Sequence, residues 1–198
     1  MNLEWFRREV ANRGGSSSAE ALSFDDLQKM AEVIVADDDI PVFVPHLAGR
    51  ACPSQPDLRG AWVGLSWDTT IGHLYRAVLE GVALEYGLYR EILMSLYPEF
   101  DVKEIRITGG GEKSALWCSI KANVLQTPVV CISRGEGAPL GSALLAGLGI
   151  GVFDNLPSAA RQWISMGSIM KPAILMADYY QRRLRQYKSI LNAFVEIM

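Results

Sequence analysis

Apolar residues follow two different periods along the chain, and the alternation between these periods predicts an α/β protein. Spacings of three and four residues, typical of one helix face, occur at Tyr75, Leu79, Val82, Tyr86, Tyr89 and Leu93. The same spacings return near the end of the chain, at Tyr180, Leu184, Tyr187, Leu191, Phe194 and Met198. We therefore predict two long helices, the first capped by residues 68–70 and ending near Pro98.

Shorter segments rich in β-branched residues predict strands at 40–45, 61–67, 104–108 and 127–132. The first of these, bracketed by prolines, suits an edge strand. Ser23 and the acidic residues after it predict the start of a short helix, and further helices are predicted at 114–125 and 139–148. The Gly/Ser-rich segment 12–23 is interpreted as a surface loop, with a domain boundary as the alternative.

Three consecutive glycines, Gly109, Gly110 and Gly111, lie between a predicted strand and a predicted helix. Residues without a Cβ let backbone N–H groups approach a phosphate or a flat base, and the positive end of the following helix favours an anion. Neither the P-loop spacing nor the dinucleotide spacing is present. The segment therefore predicts either a ligand-binding loop or a tight turn without a ligand.

Composition and charge exclude some classes of binding partner. The chain has 198 residues and a net charge of −3, so no cationic excess favours nucleic acid or an anionic membrane surface. The longest weakly polar segment, 139–153, is shorter than the roughly 20 apolar residues that cross a bilayer. The charged start does not resemble a secretory signal, and we expect a cytoplasmic location. The length suits a single domain over 1–198.

Metal-ligating and nucleophilic side chains are sparse. The three cysteines, at 52, 118 and 131, predict reduced thiols and no structural zinc, and Cys118 is expected to be buried and inert. Of the two histidines, His73 is expected to serve near a helix start, whereas His46 is the better candidate for chemistry. The acidic residues 37–39 are interpreted as a solvated turn rather than a metal site.

Four ordered segments resemble landmarks of the FGGY carbohydrate kinases, most closely those of the xylulokinase branch. They are 45–53 (PHLAGRACP) with 57–65 (DLRGAWVGL), 73–83 (HLYRAVLEGVA), 107–117 (ITGGGEKSALW) and 137–143 (GAPLGSA). Together they extend over essentially the whole chain, and they match only the C-terminal lobe of that family.

The resemblance implies an actin-like ATPase (ribonuclease-H-like) fold, in which two lobes close on ATP and a small sugar or polyol. The γ-phosphoryl group of Mg²⁺-bound ATP would then move to a sugar hydroxyl. The residues that the resemblance assigns to the nucleotide are Gly109, Gly110, Gly111, Lys113, Ser114 and Gly141. For Gly141, a structural contact of a small-residue helix start is an equal alternative. For Arg76, Glu80 and Gly81, which match the helix landmark, an ion-pair and packing role is expected.

Departures from the family pattern matter as well. The family's general base, an aspartate, belongs to the N-terminal lobe, and the β-hairpin that opens the C-terminal lobe has no counterpart here. The family's Gly-Glu-Arg-Thr-Pro stands as Gly49-Arg50-Ala51-Cys52-Pro53, which puts the role of that glutamate in doubt. We expect no catalytic residue and no metal ligand in this chain, which would require an N-terminal lobe as its partner.

The absent hairpin would lie beside 61–67 and 104–108, and its loss would leave open strand edges. We therefore expect either self-association into a homo-oligomer, by strand exchange or by packing of the exposed sheet face against a second copy, or an N-terminal segment that folds back over the gap. Two other interpretations stay open. One is a non-catalytic assembly or regulatory module that keeps the fold, and the other is a small-molecule binding domain unrelated to kinases.

Overall fold

A computed structural model describes residues 1–13, 21–37, 39–132 and 137–197. The chain divides into two compact units, one formed by Met1–Phe100 with Ala173–Met198 and the other by Asp101–Pro172. Most of the expected loop at 12–23 and the middle residue of the acidic turn at 37–39 lie outside the described residues. A single domain over 1–198 stays a prediction.

The regular elements alternate between helix and strand along much of the chain, as the sequence pattern predicts. In chain order they are α1 (Asn2–Trp5), α2 (Phe24–Glu32), β1 (Val42–Val44), β2 (Ala61–Val63), α3 (Ile71–Leu96), β3 (Ile105–Ile107), α4 (Ala115–Leu125), β4 (Val129–Ile132), α5 (Gly137–Gly149), α6 (Leu156–Trp163), β5 (Met166–Met170) and α7 (Ala177–Ile197). A π-helical turn, Phe6–Ala11, continues α1, and 3₁₀ turns occupy Gly110–Lys113 and Ile174–Met176.

The first unit is built around α3 and the antiparallel pair β1–β2, in which Phe43 lies opposite Trp62. A Cβ at Gly81 would clash with the Phe43 carbonyl oxygen, so a glycine there lets α3 lie directly against β1. β1 pairs with β2 alone among the described strands, as expected of an edge strand. All three β1 residues are nevertheless buried, because α3 and α7 pack against the strand.

Helix α3 begins with a reciprocal cap. The Thr70 hydroxyl accepts the backbone N–H of His73, and His73 Nδ1 accepts the backbone N–H of Thr70. The expected role of His73 at a helix start is thereby confirmed. The predicted apolar stripe is right only in part, since Tyr86 and Leu93 are 45% and 36% exposed. The first half of α3 is instead buried on most sides, because α2, β1 and α7 all pack against the helix.

The second unit holds a three-stranded sheet of order β3-β4-β5, with β3 parallel to β4 and β5 antiparallel to it. Helix α4 forms the crossover from β3 to β4. Its buried face packs over the sheet through Cys118 and Ala122, which contact Val129 and Cys131 of β4. The strand, glycine loop, helix and strand unit predicted over 104–132 is therefore present.

Several elements differ from the sequence prediction. The strand expected at 61–67 ends at Val63, because Gly64 has a φ of +92° and turns the backbone away. The pattern also missed α6 and β5, since α6 is short and β5 (Met-Gly-Ser-Ile-Met) has little β-branched character. β5 is a strand because β4 supplies its hydrogen-bonding partner.

Among the described helices, none combines the length and apolar content needed to cross a membrane.

Candidate functional site

The glycine loop leaves the end of β3 and leads into α4. Gly109 has a φ of +88°, a left-handed backbone conformation that favours glycine. A 3₁₀ turn follows at Gly110–Lys113, and the Ser114 hydroxyl then accepts the backbone N–H of Trp117 at 3.1 Å. Ser114 is therefore the N-cap of α4, and Lys113 is exposed beside it.

The three glycines of the loop have different surroundings. A Cβ at Gly109 or at Gly110 would meet no atom within 4 Å, so the loop is open at both positions. A Cβ at Gly111 would lie 2.8 Å from Trp117 Cζ3 and 3.3 Å from Lys121 Nζ. The loop is therefore packed against α4 at Gly111 and open at Gly109 and Gly110, where a flat or anionic group can approach the backbone. We call the exposed backbone at Gly109 and Gly110 the open side of the loop.

An apolar cavity of about 160 Å³ adjoins the start of this loop. It is lined by Thr108, Ile132, Gly137, Leu140, Gly141, Leu144 and Ile164. The structure thus brings Gly141 of α5 close to Thr108, the residue before the triglycine, although 33 positions separate them in sequence. A Cβ at Gly141 would meet no atom within 4 Å, so small residues keep this side of α5 accessible.

Beneath the loop lie two thiols and a buried lysine. Cys118 Sγ is 3.6 Å from the Gly111 carbonyl oxygen and 3.3 Å from Cys131 Sγ. The expectation that Cys118 is buried is confirmed. Lys121 is only 4% exposed, and burial lowers the pKa of its ammonium group, whereas the thiols of Cys118 and Cys131 raise it. Lys121 was not predicted as a site residue, and its one signal in the sequence is a lysine inside the otherwise weakly polar segment 120–125.

The first unit contains two buried carboxylates on α3. Glu80 is fully buried and lies 3.2 Å from Arg76 and 3.5 Å from Arg183 of α7. Together with the approach of Gly81 to β1, this confirms the ion-pair and packing role expected for Arg76, Glu80 and Gly81.

The second carboxylate, Glu85, accepts hydrogen bonds from Arg50 Nε at 2.8 Å and Tyr187 Oη at 2.6 Å. His46 Nε2 lies 3.5 Å from the same carboxylate. Burial raises the pKa of Glu85, but hydrogen bonds from His46, Tyr187, Arg50 and Tyr89 together lower it to about 2. Arg50, which stands where the FGGY pattern has a glutamate, is therefore the buried partner of a carboxylate, and His46 belongs to the same network.

No group of three or more His, Cys, Asp or Glu side chains lies close enough to hold a metal ion in the described part of the chain. The site is therefore an open glycine loop, an adjoining apolar cavity and a buried cation beneath the loop. Backbone N–H groups, an apolar surface and positive charge are the groups that a nucleotide requires.

Residues 2–150 match the model of the FGGY family of carbohydrate kinases, C-terminal domain. This chain belongs to that FGGY family. The matched range includes the glycine loop and Gly141, and it confirms the resemblance drawn from the four segments.

Curated FGGY relatives include two kinds of kinase. The chain is 34% identical to the glycerol kinase of Myxococcus xanthus over 164 residues, which cover 82% of this chain and 32% of the relative. It is 28% identical to the xylulose kinase of Staphylococcus epidermidis over 169 residues, which cover 85% of this chain and 34% of the relative. The chain thus spans about a third of the length of these relatives.

Among solved structures, the crystal structure of xylulose kinase from Rhodospirillum rubrum matches with a TM-score of 0.77 at 26% identity. The match covers 98% of this chain and 38% of that one. The predicted α/β fold of an FGGY C-terminal lobe is thereby confirmed.

Proposed function

We propose that this chain forms one wall of the nucleotide cleft in an ATP-dependent carbohydrate kinase. In such an enzyme the γ-phosphoryl group of ATP moves to a hydroxyl of a sugar or polyol, and catalysis depends on positioning and electrostatic stabilisation. The observation that carries the proposal is the glycine loop, whose open side lies between a parallel strand and a capped helix.

Within that cleft, the open side at Gly109 and Gly110 would receive phosphate and ribose against bare backbone. The apolar cavity that Gly141 helps to line would suit a flat, weakly polar group such as a base edge. Lys113 is exposed next to the loop and would meet the phosphates as a mobile cation. Ser114 would act through its cap, by fixing the start of α4.

Mg²⁺ would arrive with the phosphates of ATP rather than on a cluster in the described residues. The general base would come from an N-terminal lobe, as the family resemblance implies. The sugar is proposed to be a small ketose or polyol, since both xylulose and glycerol kinases are similar to the chain.

Nucleotide binding is tested directly on the 198-residue chain by NMR, with ATP titrated to millimolar concentration. We expect weak saturable binding, with shifts concentrated at 109–114 and around Gly141, because one wall buries only part of the ligand. Shifts confined to other residues, or no saturable shift, would contradict the proposal.

Catalysis is tested by an ADP-release assay in the presence of a kinase N-terminal lobe, using pentuloses, hexuloses and polyols as substrates. The chain alone is expected to show no sugar-dependent ADP release, and the two lobes together are expected to show it. ATP binding at the loop without ADP release from any two-lobed form would favour the non-catalytic module instead.

A further inference from the structure

Lys121 is an unusual residue for the interior of the second unit. It lies one turn after Trp117 on α4, and its Nζ is 3.6 Å from the centre of the Trp117 ring. Cation–π contact of this kind holds the ammonium group at a defined position. A lysine that is only 4% exposed is costly to keep charged, so its position calls for a physical reason.

The glycine loop rests directly on this lysine and tryptophan. A Cβ at Gly111 would lie 3.3 Å from Lys121 Nζ and 2.8 Å from the Trp117 ring, so the backbone of residue 111 lies against the ammonium group and the indole. At Gly110, the preceding residue, a Cβ would point into open space. A ligand on the open side would therefore be one backbone layer away from a positive charge.

Among the residues that the structure describes, the charge of Lys121 has little compensation. The titratable groups that act on it are the thiols of Cys118, on its own helix, and of Cys131, on β4. No carboxylate forms an ion pair with it among the residues that the structure describes. Burial accordingly lowers the pKa of this lysine, and an anion on the loop would raise that pKa again.

We propose that Lys121 is a positioning residue whose ammonium group, acting through the backbone of Gly111, is the counter-charge for a nucleotide phosphate on the open side of the glycine loop. The inference rests on the proposed function, because it concerns the same ligand. It adds a specific role: Lys121 favours ligands in proportion to their phosphate charge and makes no direct contact with them.

The test compares Lys121→Met with Lys171→Met, a matched control that removes an exposed lysine of the same unit outside the site. Affinities for ATP, ADP, AMP and adenosine are measured by NMR titration of each 198-residue chain. For Lys121→Met we expect the affinity for ATP to fall about tenfold, the affinity for AMP to fall about threefold and the affinity for adenosine to stay unchanged. The reason is that the lost attraction scales with the charge of the ligand. Lys171→Met should behave like the wild type.

An equal loss of affinity for all four ligands in Lys121→Met would show that Lys121 has a merely structural role. Unchanged ATP affinity would show that it has no role in binding, so either result overturns the inference. A wild-type chain that binds adenosine and ATP alike also overturns it while leaving nucleotide binding intact. A wild-type chain that binds none of them contradicts the proposed function itself.

A second measurement needs no substitution and therefore does not depend on the folding of a variant. ATP binding to the wild-type chain is measured by calorimetry in buffers of different ionisation enthalpy across alkaline pH. We expect proton uptake on binding and an affinity that falls as pH rises through the lowered pKa of Lys121. Proton uptake that persists in Lys121→Met, or is absent in the wild type, would overturn the assignment.

Discussion

At the scale of single residues, the three consecutive glycines of the loop differ in the physical reason for which a glycine is needed. Gly109 is required by its backbone conformation, with a φ of +88°. Gly111 is required by close packing, since a Cβ there would meet Trp117. Gly110 satisfies neither condition, because its φ does not lie in the left-handed region and a Cβ would meet no neighbour. Its glycine is therefore the best probe for a ligand.

Gly110→Val is expected to leave the free energy of unfolding within about 1 kcal/mol of the wild type, since the side chain enters open space. The same substitution should abolish measurable ATP binding, because a branched side chain keeps phosphate from the backbone. Urea denaturation and NMR titration together provide the check.

The matched variant is Gly111→Val, which must displace the Trp117 ring and should cost about 1 to 3 kcal/mol of stability. If the two variants were equally destabilised, the open side of the loop would be wrongly assigned. If Gly110→Val bound ATP like the wild type, the loop would not form the nucleotide site.

At the scale of elements, short polar motifs at helix starts and buried charges between helices determine where the elements lie. Ser23 and Asp26 form a capping box at α2, and Thr70 and His73 form one at α3. Ser114 caps α4 in the same unit that holds the glycine loop. These caps satisfy backbone N–H groups that the helices themselves leave without partners.

Ser114→Ala should lower the free energy of unfolding by about 1 kcal/mol, because the Trp117 N–H loses its acceptor. Ser114→Asp should retain most of the stability, since aspartate is an equally good N-cap. Chemical denaturation of the three proteins measures the difference. If Ser114→Ala left the free energy of unfolding unchanged, the hydroxyl would not be the cap. A direct ligand contact would then be the better explanation for a serine at this position.

Glu85 ties α3 to α7 and to the segment around Arg50, through buried hydrogen bonds. Glu85→Gln should cost about 3 kcal/mol, because it leaves the Arg50 charge buried without its counter-ion. The matched variant Glu91→Gln, which breaks the exposed pair with Lys188 on the same two helices, should cost less than about 1 kcal/mol.

The pH dependence of the free energy of unfolding is an independent test of the hydrogen bonds to Glu85. Because the folded-state pKa of Glu85 is lowered to about 2, its stabilising contribution is fully present above the ordinary carboxyl pKa and is lost as pH falls towards 2. The stability gap between wild type and Glu85→Gln should therefore shrink on acidification. A gap that stays constant from neutral pH to about pH 2 would contradict the lowered pKa.

At the scale of the whole molecule, one edge of β3 has no strand partner in the part of the chain that the structure describes. Among the described strands it pairs with β4 alone, and the Ile105 N–H donates towards β4, to the Pro128 carbonyl. Because strand residues alternate, the N–H of Arg106 faces the opposite edge. Unpaired strand edges are sites of association.

We therefore expect the chain on its own to self-associate as its concentration rises, by pairing along β3. Light scattering over a concentration series measures this. Arg106→Pro removes an outward N–H without touching the β3–β4 bonds and should reduce association. A wild-type chain that remains a monomer at high concentration, or association that Arg106→Pro leaves unchanged, would contradict pairing through this edge.

Much of the fold and of the candidate site was accessible from the sequence, because the deciding interactions are local. Helical periodicity predicted α3 and α7, side-chain oxygens at Ser23 and Thr70 predicted helix starts, and consecutive glycines between strand and helix predicted the loop. These signals depend on residues within a few positions of one another.

Tertiary structure alone decided the features that depend on distant neighbours. β5 is a strand because β4 pairs with it, and Arg50 is a buried cation because Glu85 of α3 faces it. Lys121 is the single charged residue in the sequence of α4, and it lies buried beneath the loop because α4 packs on β4 and β5 with that face inward. Sequence spacing determines which side chains share a face of each helix or strand. Burial of that face against other elements decides which of those side chains come into contact.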